Sequence, residues 1–167
     1  MKQSLTFLIA VICLFFGGSA FAQSNMPSVV LEDLEGTAIN TSEINNEGKP
    51  MIISFWATWC KPCIKELNTI ADEYEDWVDE TGVKLVAISI DDARNTHMVK
   101  PLVNLKDWPY EVLLDKNGDF KRAMNVVNVP HTFLLDGDGN VVYQHTSYAP
   151  GDEEELYDHV LELTEGE

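Results

Sequence analysis

The stretch Phe55-Trp56-Ala57-Thr58-Trp59-Cys60-Lys61-Pro62-Cys63 constrains this chain more than any other. It follows the apolar run Met51-Ile52-Ile53, which predicts a buried strand. It precedes Ile64, Leu67, Ile70, Ala71, Tyr74, Trp77 and Val78, apolar residues at helical spacing. The two cysteines therefore fall where a strand hands over to a helix. The unpaired N–H groups and the dipole of a helix N-terminus stabilise an anion, and the reactive form of cysteine is the thiolate. Cys60 is expected to be the acidified, exposed member of the pair. Cys63 lies one turn further into the helix, close enough for the two to bridge without backbone movement. Pro62 is tolerated because first-turn N–H groups have no intrahelical partner.

Cysteine usage sharpens this reading. The chain of 167 residues, long enough for one domain with a substantial core, holds three cysteines, Cys13, Cys60 and Cys63. Lys2, the apolar run Leu5 to Phe16 and Ala20-Phe21-Ala22 form the pattern of a secretory signal cut after Ala22. Residues 1–22 are thus read as a cleaved leader that takes Cys13 with it, and 23–167 as a single domain. The apolar run is short of the roughly 20 residues a spanning helix needs, which weighs against a retained anchor. An exported compartment permits disulfides. A bridge between Cys60 and Cys63 closes too small a loop to restrict the unfolded chain much, so it reads as a working disulfide rather than a structural one. No second CxxC or HxxxH is present to complete a structural zinc site. The formal net charge of −17 repels nucleic acid and anionic lipid, and both are discarded as partners. Its acidic residues are mostly scattered, as on a solvated surface.

In chain order, Val29-Val30-Leu31 and Ala38-Ile39 flank Leu34-Glu35-Gly36-Thr37 as a small hairpin. The helix after Cys63 runs to about Glu80 and stops at Thr81-Gly82. Val83 to Ile90 is β-branched and long enough for a buried parallel strand, joined to the first by a right-handed crossover. Ala93 to Asp107 is expected to be a helix, with Pro101 disturbing its first half. Glu111 to Leu114 reads as a short strand, Asp119 to Asn125 as a short helix, and Asp152 to Leu163 as the closing helix. His131-Thr132-Phe133-Leu134-Leu135 and Val141-Val142-Tyr143-Gln144 make an antiparallel hairpin across Asp136-Gly137-Asp138-Gly139-Asn140. That turn begins like a calcium loop but has Val141 where the motif needs Gly and Ser147 where it needs Glu, so it reads as a plain turn.

Taken together, the W-C-x-P-C motif at Trp59 to Cys63 after a buried strand, and Val129-Pro130 just before the late hairpin, resemble the thioredoxin superfamily. The N-terminal hairpin, the export signal and the extra helical segment over 93–107 make the chain most similar to the TlpA/ResA branch of exported thiol-disulfide oxidoreductases. The likeness covers about residues 28–163. It implies an α/β thioredoxin fold, a central mixed sheet flanked by helices, with an N-terminal hairpin and a helical insertion. It implies Cys60 as attacking nucleophile, Cys63 as resolving thiol and Pro130 as a cis proline beside them. The backbone of Val129 would be free to pair with a substrate strand, since Pro130 has no N–H to give.

In thioredoxins a buried Asp commonly occupies the position of Ser54, so the usual proton acceptor for the resolving thiol is missing here. In the ResA type a glutamate three residues after the second cysteine takes its place, and Glu66 matches it. Helix geometry agrees, because residues three apart share a face. Trp56 and Trp59 are read as packing around the disulfide, with Trp59 and Val129 as candidate substrate contacts. His131 is a candidate neighbour of the sulfurs. Two cysteines and a histidine also suggest copper, as in Sco-type chaperones, but those space their cysteines CxxxC. A peroxidase would need P-x-x-x-T-x-x-C before Cys60, and that is absent. The expectation is a monomeric, exported disulfide reductase with no cofactor or metal, taking protein disulfides or dithiols as substrates and electrons from an upstream oxidoreductase. A dithiol oxidase of the same fold and a copper-binding carrier stand as alternatives.

Overall fold

The computed structural model describes residues 26–165. The leader expected over residues 1–22 lies outside the described residues. Seven strands form one mixed sheet: β1 (Val30–Asp33), β2 (Ala38–Asn40), β3 (Met51–Trp56), β4 (Lys84–Ser89), β5 (Glu111–Leu114), β6 (His131–Leu135) and β7 (Val141–Thr146), in the spatial order β2-β1-β5-β4-β3-β6-β7. β3 is parallel to β4 and β4 to β5, while β6, β7, β1 and β2 join antiparallel. The helices are α1 (Lys61–Thr81), α2 (Val99–Lys106), α3 (Asp119–Ala123) and α4 (Asp152–Glu165). This is the thioredoxin-like α/β arrangement expected, with its hairpin and its helical insertion.

Every residue of β3 is buried, because helices cover both faces of the sheet at its centre. Side chains alternate along a strand. Ile52 and Trp56 pack with Leu67 and Ile70 of α1 and with Leu156 and Val160 of α4. Met51, Ile53 and Phe55 face the other way, against Phe120 of α3, Phe133 and Leu135. Fully burying each such side chain contributes roughly 1.5–3 kcal/mol. α1 lays down a stripe of Cys63, Glu66, Leu67, Ile70, Tyr74, Trp77 and Thr81. It ends at Gly82, whose left-handed φ of 67° lets its N–H reach the Val78 carbonyl.

The insertion departs from expectation at its start. Asp92 Oδ1 accepts the N–H groups of Arg94 and Asn95, a local turn that competes with helix. Only a 3-10 turn (Thr96–Met98) precedes α2, and Pro101 then sits in the first turn of α2, where it costs no hydrogen bond. The expected helix over 119–125 is cut short as Asn125 turns to a φ of 56°. In the 136–140 turn, Asp136 Oδ1 accepts the N–H groups of Asp138 and Asn140, as a plain turn requires.

Candidate active site

β3 and β4 end side by side, with Trp56 paired to Ser89. Ligand and reaction sites in such sheets gather at the carboxyl ends of parallel strands. Cys60 is the N-cap of α1, and its sulfur accepts the Cys63 N–H at 3.3 Å, the place a serine or aspartate oxygen commonly takes. Cys60 and Cys63 are joined as a disulfide, with Cα atoms 5.3 Å apart. Neither is exposed in this oxidised state: Cys60 is 4% accessible and Cys63 fully covered. The expectation of an exposed Cys60 is corrected to a difference of degree, because the pair is part of the buried apolar cluster that holds Trp56 and Ala57, with Val129 packed against that cluster.

The Val129-Pro130 bond is cis. His131 pairs with Phe55, which places Pro130 and Val129 beside the end of β3 and at the same end of the sheet as the disulfide. Trp56 is buried, edge-on to Trp108 with ring centres 4.9 Å apart. Trp59, by contrast, is 64% exposed, so its expected packing role is not what the fold gives it. His131 falls on the sheet face with Phe55, away from α1. It stacks on Phe133 at 4.2 Å and its Nε2 meets Gln144 Oε1 at 3.0 Å, which removes it as a neighbour of the sulfurs.

Glu66 is 1% exposed on the buried stripe of α1. Thr132 donates its hydroxyl to Glu66 Oε1 at 2.7 Å, and His145 Nε2 lies 3.0 Å from the same oxygen. Cys63 and Glu66 stand three residues apart on the buried stripe of α1, and so share one face of the helix. Tyr110 donates to the Leu67 carbonyl at 2.8 Å. Burial pushes its hydroxyl far above the usual tyrosine range, and the charge of Glu66 adds to the effect.

Sequence reasoning missed three residues here. Thr132 and His145 reach Glu66 from β6 and β7. Asp91, read only as a strand terminator, is 1% exposed and accepts from Thr58 N at 2.8 Å, Thr58 Oγ1 at 2.7 Å and Ser89 Oγ at 2.9 Å. Its position at the carboxyl end of β4 was the available signal.

The AhpC/TSA family matches residues 22–144. The thiol-disulfide oxidoreductase ResA of Bacillus thuringiensis subsp. konkukian is 35% identical over 118 residues, 71% of this chain and 65% of that protein, so the chain spans just under two thirds of that relative's length. The thiol-disulfide oxidoreductase ResA of Halalkalibacterium halodurans is 30% identical over 155 residues, 92% of this chain and 84% of the relative. The solution structure of an uncharacterised thioredoxin-like protein from Porphyromonas gingivalis superposes with a TM-score of 0.77 at 53% identity, covering 86% of this chain and 94% of that one. The chain belongs to the AhpC/TSA family, among its thioredoxin-like members related to ResA.

Proposed function

We propose that the chain is a protein thiol-disulfide oxidoreductase and that it works as an exported disulfide reductase. The observation that carries the activity is the Cys60–Cys63 bridge at the head of α1, with the sulfur of Cys60 already accepting a helix N–H. On reduction the same N–H and the helix dipole stabilise the Cys60 thiolate. That thiolate attacks a substrate disulfide: a Cys60–substrate S–S bond forms, the substrate bond breaks, and one substrate sulfur leaves with the electron pair and takes up a proton. Cys63 then gives its proton to Glu66 and attacks Cys60, releasing the second substrate sulfur. Two electrons have passed to the substrate, and a dithiol protein upstream must return them. Val129, beside the bridge, offers main-chain groups to an extended substrate segment, and Trp59 offers an exposed apolar face.

Cys63→Ala tests the activity, since it strands the mixed disulfide and lets the partner be identified by mass. No trapped partner with either thiols or disulfides would refute it. The reducing direction is read from a potential near the roughly −270 mV of thioredoxin, whereas one near the roughly −120 mV of DsbA would make the protein an oxidase. Export rests on Ala20-Phe21-Ala22, and a secreted form beginning at Gln23 by intact mass is the expected result.

A further inference from the structure

Ser54, Thr132 and His145 form a row across three neighbouring strands, Ser54 pairing with Thr132 and Thr132 with His145. All three lie on the sheet face that α1 covers, on the same side as Ile52 and Trp56. In this otherwise apolar interface the row presents two hydroxyls and an imidazole. Glu66, the one carboxylate on the buried stripe of α1, descends into it.

The hydrogen bonds are unevenly shared. Both donors reach Oε1 of Glu66, whereas Oε2 is buried with no hydrogen bond among the described residues. The Thr132 hydroxyl, with one hydrogen to give, lies 2.7 Å from Glu66 Oε1 and 3.1 Å from Ser54 Oγ. A carboxylate accepts the His145 bond through Nε2–H. A glutamate side chain has three rotatable bonds, and two donors from two different strands leave it little freedom. One oxygen is anchored to the sheet, and the other is buried with no hydrogen bond among the described residues.

We propose that His145 is a positioning residue for the resolving step: from β7, and with Thr132, it holds Glu66 by Oε1 so that Oε2 is presented to the Cys63 thiol. The inference rests on the reading of Glu66 given above. In the step it serves, the Cys63 proton moves to Oε2 and the freed sulfur pair bonds to Cys60. The Cys60–substrate bond breaks, and its electron pair leaves with the substrate sulfur. His145 neither gains nor loses a proton over the step. Its contribution is placement, and misplacement of a reacting group by about 1 Å can cost on the order of 10²-fold in rate.

The experiment is stopped-flow reduction of a model peptide disulfide by the reduced protein, resolving attack from release. Glu66→Gln should slow release by about 10²-fold, as lost general base catalysis does, with attack by Cys60 little changed. His145→Leu should slow release about tenfold or more and spare attack. His145→Gln, which restores an N–H donor without a titrating ring, should recover most of that loss. Thr132→Val, nearly isosteric, should act in the same direction as His145→Leu and supplies the readout should the leucine variant not fold. Added to Glu66→Gln, His145→Leu should cost little more, the two acting on one step. If Glu66→Gln slows release but neither His145→Leu nor Thr132→Val does, or His145→Gln is as slow as His145→Leu, the proposal for His145 fails and Glu66 keeps its role. Should Glu66→Gln leave release unchanged, both readings fall.

Discussion

Asp91 holds Thr58 by two bonds at once, taking the backbone N–H on one carboxylate oxygen and the hydroxyl on the other, at 2.8 and 2.7 Å. Ser89 braces the same carboxylate from the end of β4. The loop that delivers Cys60 is therefore tied to the neighbouring strand two residues before the cysteine. Asp91→Ala strands these donors in a largely covered site, at about 1–3 kcal/mol for each buried group left unpaired. Urea denaturation should show a lower midpoint with an unchanged slope. A midpoint equal to that of the parent protein would show that the clamp contributes nothing.

In the reduced protein, Cys60 should be alkylated by iodoacetamide well before Cys63. In the bridged form Cys60 has slight accessibility at the head of the helix while Cys63 is fully covered, and the helix N-terminus favours the Cys60 thiolate. Peptide mapping after a short exposure at neutral pH decides the order. Equal labelling would remove the basis for telling the attacking thiol from the resolving one, and earlier labelling of Cys63 would reverse the assignment.

Gly137 has no room for a side chain. A Cβ there would come within 1.9 Å of the Gly48 carbonyl oxygen and 2.6 Å of its carbon, both backbone atoms. Gly137→Ala should destabilise the fold by about 1–3 kcal/mol, the usual cost of overpacking, measurable by thermal or urea melts. Activity per folded molecule should be unaffected, since this turn follows the far end of β6 from Pro130.

Alkaline titration offers a separate check on the core. Tyr110 is raised by burial and Tyr157 is pushed up to about 12, by burial first and then by its bond to Glu80. A tyrosine raised in the folded state above its unfolded value near 10 stabilises the fold fully below pH ~10 and loses that contribution as pH rises through the folded value. Unfolding free energy should therefore fall above pH ~10. Tyr110→Phe should flatten the fall, while leaving the 295 nm absorbance rise of the folded protein near pH ~10–11 unchanged. A rise that shrinks by one tyrosine in this range would mean that Tyr110 is open to solvent.

The fold was legible where local pattern and chemistry agree: an apolar run before W-C-x-P-C, a helical stripe after it, and glycine at its end. Glu66 was legible as a carboxylate inside that stripe. His145 was not, and the reason is a single displaced residue. A regular hairpin closing at Leu135 and Val141 would set Gln144 opposite Thr132. The irregularity between Leu134 and Leu135 shifts the register so that His145 takes that place. A shift of one exchanges the two faces of a strand, and a bulge leaves no mark in composition. Cys60 was expected in the open because a sequence gives its place at a helix start but not what closes over it. Asp91 was passed over because Thr58, which donates to it twice, lies far away in the sequence on the loop after β3.

The N-terminal hairpin has a consequence for how the protein survives in a crowded compartment. β1 lies along β5, pairing Glu32 with Leu114 and Asp33 with Leu113. Without it, the apolar Val112-Leu113-Leu114 segment would form the rim of the sheet, with unpaired backbone groups ready to recruit a strand from another molecule. The hairpin ends that side of the sheet in β2, only three residues long and tipped with Asn40, a poor template for further growth. A chain shortened to begin after Asn40 should thus keep its cysteines and yet clump, with light scattering that climbs with concentration, because the segment farthest from the chemistry is the one that keeps the molecules apart.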